Sequence, residues 1–314
     1  MKAVLDRVRG AVAKKNLLPI LTSFCVQDGT IQGSNGFVTV GALCPELDID
    51  FAVQADKFIK AIDACPDEPT LRLLDSGQLS ISSGRFRARL PTRPTADYPQ
   101  VTRLSGHADV PQELRQALQD IRPFIGTDAF RAWSHGVLVK DGYMWATNNV
   151  VLVRRPFTYN GPAAVWPAAL VDELLRVKQT PASYVHTATH AEFLYTDGSW
   201  LVGSLIHPDW PDVEKFFNDP WPPLVGPDLP ELLEAVETVV PFCPDLPVVQ
   251  LSETGVETED GETHASVKIS GLRPARLRVE PFLDVLRAAE VVDFDDTPYR
   301  WRGKGMEGVL VGMR

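Results

Sequence analysis

Three stretches of this sequence match one another at a fixed step. They are residues 51–62, 163–174 and 276–286, and their apolar positions align as Phe58, Leu170 and Phe282, as Ile59, Val171 and Leu283, and as Ile62, Leu174 and Leu286, each 112 residues apart. Each stretch reads as a short apolar strand, a small or proline-containing turn, and an amphipathic helix. A repeat of that length is a domain and not a solenoid unit. It limits the chain to architectures that three copies of one domain can build.

The surrounding pattern repeats as well. Residues 2–15 predict a basic amphipathic helix with Leu5, Val8 and Val12 on its apolar stripe, and residues 114–125 predict a second with Leu118, Ile121 and Ile125 at a step of 113. Asp28-Gly29 and Asp141-Gly142 mark hairpin turns at the same step, with Thr254-Gly255 as the third copy. A third helix is expected over 230–240. The segment 218–230 is rich in proline and glycine and suits a boundary. The expected domains are therefore 1–105, 106–221 and 222–314. Each holds two helices and roughly eight short strands. Two helices cannot cover more than one face of so much sheet, which predicts an α+β fold with helices on one side of antiparallel sheets.

Whole-chain properties narrow the function. No run of eighteen apolar residues is present, so no membrane-spanning helix is expected. The first residues lack an apolar leader core, and the four cysteines (Cys25, Cys44, Cys65, Cys243) form no C-x-x-C pair. Both point to a cytoplasmic protein with reduced thiols and no zinc. A net charge of −10 argues against a protein that coats nucleic acid, but not against one local basic face. Such a face is offered by Lys2, Arg7, Arg9, Lys14 and Lys15, opposed only by Asp6. The phosphate-loop and nucleophile-elbow patterns are absent. His186 and His190 have helical metal-pair spacing, but they fall in a segment that reads as strand, where they would stand about 13 Å apart. No catalytic residue, metal or cofactor is expected.

Several short motifs, in order, give the repeat a closer likeness. They are Asn16-Leu-Leu-Pro-Ile-Leu21, Ser83-Gly84 through Thr92 with Ala96-Asp-Tyr-Pro99, Gly136-Val-Leu-Val139 with Ala146-Thr147, Val165-Trp-Pro167, Pro211-Asp212 and Val309-Leu-Val-Gly-Met-Arg314. With them the chain resembles the bacterial DNA sliding clamp, the beta subunit of DNA polymerase III, over nearly its whole length. The resemblance implies a processivity factor. Two three-domain subunits would join head to tail into a closed ring around duplex DNA, with sheets outside and helices lining the hole. Lys and Arg on those helices would meet phosphate without reading sequence. By position on the helices the DNA-facing candidates are Lys2, Arg7, Arg9, Lys14, Lys15, Lys57, Lys60, Arg115, Arg122, Arg176 and Lys178.

The resemblance also implies a pocket between the second and third domains for short peptides of the polymerase, the clamp loader and other partners. Matched by motif, it comprises Thr147, Asn149, Val150 and Leu152, then Pro211, Lys215 and Phe216, then Val309, Val311 and Met313. The sequence departs from the family, whose terminal Met-Pro-Met-Arg reads Val311-Gly-Met-Arg314 here, in three further respects. It is short, with a phage or mobile-element system as one setting. The family's Ala-Thr-Asp-Gly-His-Arg-Leu reads Ala146-Thr-Asn-Asn-Val-Val-Leu152 here. The third domain's first helix carries Asp228, Glu231, Glu234 and Glu237 without a base. Those acidic residues leave an alternative open: a clamp-like module that binds peptides without encircling DNA.

Overall fold

The structure is a computed structural model, and it describes all residues except 16–17, 129, 160, 207–208, 219, 244–246, 260–262 and 314. The start of the Asn16–Leu21 motif, His207 and the terminal Arg314 thus lie outside the described residues. The element order recurs three times. The first series is α1 (Lys2–Val8), β1 (Ser23–Gln27), β2 (Thr30–Ser34), β3 (Val38–Leu43), β4 (Phe51–Gln54), α2 (Ala55–Asp63), β5 (Thr70–Leu73), β6 (Gln78–Ser83) and β7 (Phe86–Arg93). A two-residue strand β8 (Ala108–Asp109) precedes the second series. That series is α3 (Leu114–Ile121), β9 (Gly136–Lys140), β10 (Tyr143–Thr147), β11 (Val151–Pro156), β12 (Ala164–Pro167), α4 (Ala168–Arg176), β13 (Ser183–His186), β14 (His190–Leu194) and β15 (Trp200–Ser204). The third is α5 (Leu229–Val239), β16 (Val248–Ser252), β17 (Gly255–Glu259), β18 (His264–Lys268), β19 (Ala275–Arg278), α6 (Val279–Ala288), β20 (Val291–Asp293), β21 (Tyr299–Gly303) and β22 (Met306–Leu310). Among the described residues each series holds two helices and seven strands, one strand fewer than expected.

The first helices of the first two series, α1 and α3, are shorter than their periodicity predicts, while α5 matches its expected length one residue earlier. α1, α3 and α5 each tighten into a 3-10 turn, at Arg9–Ala11, Arg122–Phe124 and Val240–Phe242. Pro123 and Pro241 sit in two of these turns and lack the N–H that an α-helix would use. The three matching stretches become β4–α2, β12–α4 and β19–α6. Strand passes into helix with no turn between them. Their aligned residues Phe58, Leu170 and Phe282 are fully buried, and Phe58 packs edge-on against both Phe24 and Phe51.

Asp28-Gly29 and Asp141-Gly142 take positive φ at both positions, as a two-residue hairpin of the primed type requires. The third copy differs: Gly255 opens β17, and the turn falls on Glu253-Thr254. His186 and His190 do not share a strand. They end β13 and begin β14 of one hairpin, where His186 faces Ala191.

The strand pairings are antiparallel, and they fall into sheets that cross the repeat boundaries. Eleven strands run in the order β5-β6-β7-β4-β1-β2-β3-β15-β14-β13-β8. The join is β3 to β15, with Val40 opposite Leu201. Seven strands run in the order β12-β9-β10-β11-β22-β21-β20, joined by β11 to β22 with Val153 opposite Gly308. Four strands run β18-β17-β16-β19. The chain accordingly packs as two units, 1–115 with 169–205, and 116–168 with 206–314. Each unit takes half of the second series.

Candidate functional site

The first unit carries most of the cations expected to meet phosphate, and it divides them into two kinds. Arg7 donates to Gln179 Oε1 at 2.7 Å and pairs with Asp197 at 2.5 Å, its guanidinium 4.9 Å from the Tyr195 ring centre. Burial alone would raise the Asp197 carboxyl, but hydrogen bonds from Ser199 and the Arg7 charge hold it below the usual range. Arg115 donates to the carbonyls of Val177 and Leu175 at 2.8 and 2.9 Å, closing the C-terminal end of α4. Arg176 pairs with the buried Glu173 through both carboxylate oxygens, at 2.8 and 2.6 Å, and also donates to the carbonyls of Asp6 and Arg7. Gly10 lets that guanidinium pass, because a Cβ there would overlap it. These three side chains are engaged with protein groups around α1 and α4, although Arg176 stays partly exposed. Lys2, Lys14, Lys15, Lys57, Lys60 and Lys178 are exposed, as is Arg9, which pairs with Asp6 of α1 and with no other carboxylate among the described residues. Arg122 lies in the second unit and is half-buried.

Glu192 is a functional-looking carboxylate that pattern reading missed. It is fully buried on β14, accepts from Arg103 Nε at 2.6 Å and the Leu104 backbone N–H at 2.5 Å, and has His107 3.7 Å away. Arg103 also lies over the Trp200 ring. Every partner is on 103–107, so the group ties down the segment after the first repeat. No periodicity could have announced it.

In the second unit the motif-matched peptide residues do not converge on one place. Asn149, Val150, Val311 and Met313 line a cleft of about 700 Å3, together with Ile125, Asp128, Arg131 and the first turn of α6. Asn149 has φ of 69°, and its backbone N–H donates to Thr147 Oγ1. Val311 and Met313 are 51% and 38% exposed, which leaves apolar surface for a ligand. Lys215, Phe216 and Val309 line a smaller cleft of about 150 Å3 with Pro298 and Arg300. Leu152 and Val309 are buried in an apolar cluster with Leu138, Trp145, Val165 and Phe217, covered by Trp210, Val213 and Trp221. Thr147 is buried and donates to the Val151 carbonyl, so its role is in the turn. Pro211 is exposed and lines neither cleft.

The boundary segment 218–230 is less free than its composition suggests. Trp221 stacks on Phe217 at 5.3 Å, and the guanidiniums of Arg300 and Arg302 lie 5.5 and 5.4 Å from its ring centre.

No family model matches the sequence, and no curated protein matches it. Solved structures do match the fold. A DNA polymerase sliding clamp from Bacillus subtilis superposes with a TM-score of 0.82 at 16% identity, over 100% of this chain and 96% of that one. This chain has the sliding-clamp fold. A putative DNA polymerase III beta subunit from Eubacterium rectale gives 0.84 at 12% identity, covering 100% and 97%. A sliding clamp from Pseudomonas aeruginosa bound to griselimycin gives 0.80 at 19% identity, covering 100% and 97%. At such identities what is shared is backbone architecture.

Proposed function

We propose that this chain is a DNA sliding clamp. Three clamp-type domains, 1–105, 106–221 and 222–314, join head to tail with those of a second copy. The resulting ring surrounds duplex DNA and tethers a polymerase without catalysing a reaction.

The observation that carries the reading is the rule by which the repeats join. The third strand of one repeat pairs with the last strand of the next, β3 with β15 and β11 with β22. Applied once more, the rule asks β18 to pair with a strand equivalent to β15 and β22. That strand is β7, which already belongs to the same chain's first repeat. β18 is an edge strand, and β7 pairs with β4 only through Thr92 and Arg93, so its 86–91 edge is open among the described residues. A second copy supplies both missing partners, and the contact then recurs once in the opposite direction to close the assembly.

Charge supports the same join. Residues 1–105 hold thirteen Lys and Arg against eleven Asp and Glu, while 222–314 hold nine against seventeen. Arg87 and Arg89 stand on the exposed face of β7, where a less basic strand would not favour the acidic repeat.

On this reading Lys2, Arg9, Lys14, Lys15, Lys57, Lys60 and Lys178 are the phosphate contacts, and Arg7, Arg115 and Arg176 support them from behind. The 700 Å3 cleft takes the peptide motifs of the polymerase and the clamp loader, and the Phe216 cleft is a second, smaller candidate. Such a protein works in the cytoplasm, at the nucleoid. Sedimentation together with retention on nicked circular DNA tests the proposal. A dimer that stays on circles and leaves when they are cut is expected. A monomer at high micromolar concentration that is never retained overturns it.

A further inference from the structure

In two of the three series, the strand that follows the second helix is covered by residues from just ahead of the first helix. In the second series β8 covers β13: Tyr184 faces Ala108, Ser183 faces Asp109, and the Val110 N–H donates to the Ala182 carbonyl at 3.3 Å. In the third, Gly226 lies against the Val292 backbone of β20, so close that a Cβ would overlap its carbonyl oxygen. These covering residues lead directly into α3 and α5.

β5 holds the same place in the first series, since Thr70 and Leu71 lie 113 residues before Ser183 and Tyr184. It is an edge strand. Beside it is a cleft of about 540 Å3 that Met1 also lines. Leu47, Ile49 and Leu71 give the cleft apolar surface, while Glu46, Asp48 and Glu68 give it negative charge, and no Lys or Arg lines it. The Leu74 N–H donates to the Gln78 carbonyl at 2.9 Å, in register with the β5–β6 ladder. Hydrogen-bonded pairs alternate along an antiparallel ladder. Thr70 and Arg72 therefore turn their backbone groups to β6, and Leu71 and Leu73 turn theirs to the open edge. Those outward groups have no hydrogen-bond partner among the described residues. An open edge of this kind is a template for another strand.

We propose that β5 takes an added strand from a partner protein, an extended segment that carries apolar residues and Lys or Arg. Its apolar side chains meet Leu47, Ile49 and Leu71, and its bases meet Glu46, Asp48 and Glu68. Backbone hydrogen bonds to Leu71 and Leu73 supply affinity, and the carboxylates select a basic segment over an acidic one. The site belongs to the first unit, whereas both clefts assigned to polymerase and loader peptides belong to the second. It does not depend on ring closure.

The test uses the full chain and two fluorescent probes, an alternating Lys-Val hexapeptide and its Glu-Val counterpart, read by anisotropy and by amide hydrogen exchange. The Lys-Val peptide is expected to bind and to slow exchange at Leu71 and Leu73, and the Glu-Val peptide to do neither. Leu71→Pro removes one outward N–H and none that pairs with β6, and it should weaken binding about tenfold. Leu71→Val keeps the N–H and should bind close to wild type. Glu46→Gln with Glu68→Gln, both exposed, leaves the ladder untouched and should weaken binding about fivefold. Absence of protection at Leu71 and Leu73, binding by Leu71→Pro as tight as by Leu71→Val, or equal affinity for the two peptides overturns the proposal. So does protection of the same amides that grows with protein concentration in the absence of peptide, which would make a second copy the cover.

Discussion

At the level of single side chains, Arg7, Arg115 and Arg176 show that a charge pattern does not reveal a cation's partners. All three lie on helices where phosphate contacts were expected, yet each is engaged with protein groups. Arg176→Ala would leave Glu173 buried without its partner, which costs about 3 kcal/mol. Urea unfolding should show that loss, while Lys178→Ala, exposed two residues on, should change stability by less than about 0.5 kcal/mol. The thiols make a second residue-scale case. Burial pushes Cys25 up to about 11 despite a hydrogen bond with Gln32, and it pushes Cys44 up to about 12 with help from Glu46. Thiol, not thiolate, therefore prevails in both at neutral pH. Cys65 is buried as well, and Cys243 is partly exposed. Brief treatment of the native protein with iodoacetamide at pH 7.5 (a condition of about neutral reactivity) should label Cys243 first by mass spectrometry, with Cys25 and Cys44 protected until the protein unfolds.

Between elements, the join of β3 to β15 depends on a residue that has no side chain. Gly41 faces Trp200 across the pair, and a Cβ there would overlap the indole. Gly41→Val should lower stability by about 2–3 kcal/mol through overpacking, seen as an earlier urea midpoint. α6 allows a test with a definite sign. Burial raises the Asp284 carboxyl above the usual range; Arg287 opposes that rise and Glu280 adds to it. A carboxyl with a higher pKa in the fold than in the open chain subtracts stability once pH exceeds the open-chain value, and the loss is complete above the folded value. Asp284→Asn should therefore raise Tm at neutral pH and leave it unchanged in acid below both values.

The same elements show what the sequence made legible. The repeat step located β4–α2, β12–α4 and β19–α6, because burial of Phe58, Leu170 and Phe282 fixes one apolar face at one spacing. The Asp-Gly turns were readable because positive φ at both positions restricts the residue choice. Helix ends, the third hairpin turn, β20 and the Glu192 tie were not. They depend on 3-10 tightening or on partners far away in the chain, and neither leaves a local period. The candidate peptide site was only half legible. Motif matching found the strands, but whether Val309 or Val311 is exposed depends on what packs over each, and Val309 is 3% exposed beside a Val311 that is 51% exposed.

For the whole molecule, the join rule would give the proposed inter-subunit contact a register. Val40 and Val153 lie at the 113-residue step, and a further 112 residues lead to Ala265 on β18. On the other side, Gly308 stands two residues past Met306, which closes the β21–β22 hairpin opposite Gly303. Phe86 closes the β6–β7 hairpin opposite Ser83 in the same way, and two residues past it is Ala88. The rule therefore sets Ala88 of one copy opposite Ala265 of the other, with Arg87 across from Ser266 and Arg89 across from His264. Directly opposed residues on antiparallel strands hold their Cβ atoms about 4.5–5.5 Å apart, within reach of a disulfide after small adjustment. A chain carrying Ala88→Cys and Ala265→Cys, with Cys243→Ser to remove the partly exposed native thiol, should oxidise to a covalent dimer with two bridges. It should run on a denaturing gel as a closed species distinct from a singly linked one. Moving one cysteine to Arg87, a single residue out of register, points its side chain to the other face of the strand and should abolish the bridge. Charge reversal of Arg87 and Arg89 to Glu brings like charge to the acidic repeat and should shift the mass to monomer. If the Ala88–Ala265 pair stays unlinked while the protein sediments as a dimer, the copies meet elsewhere, and the join that unites the repeats within a chain does not extend between chains.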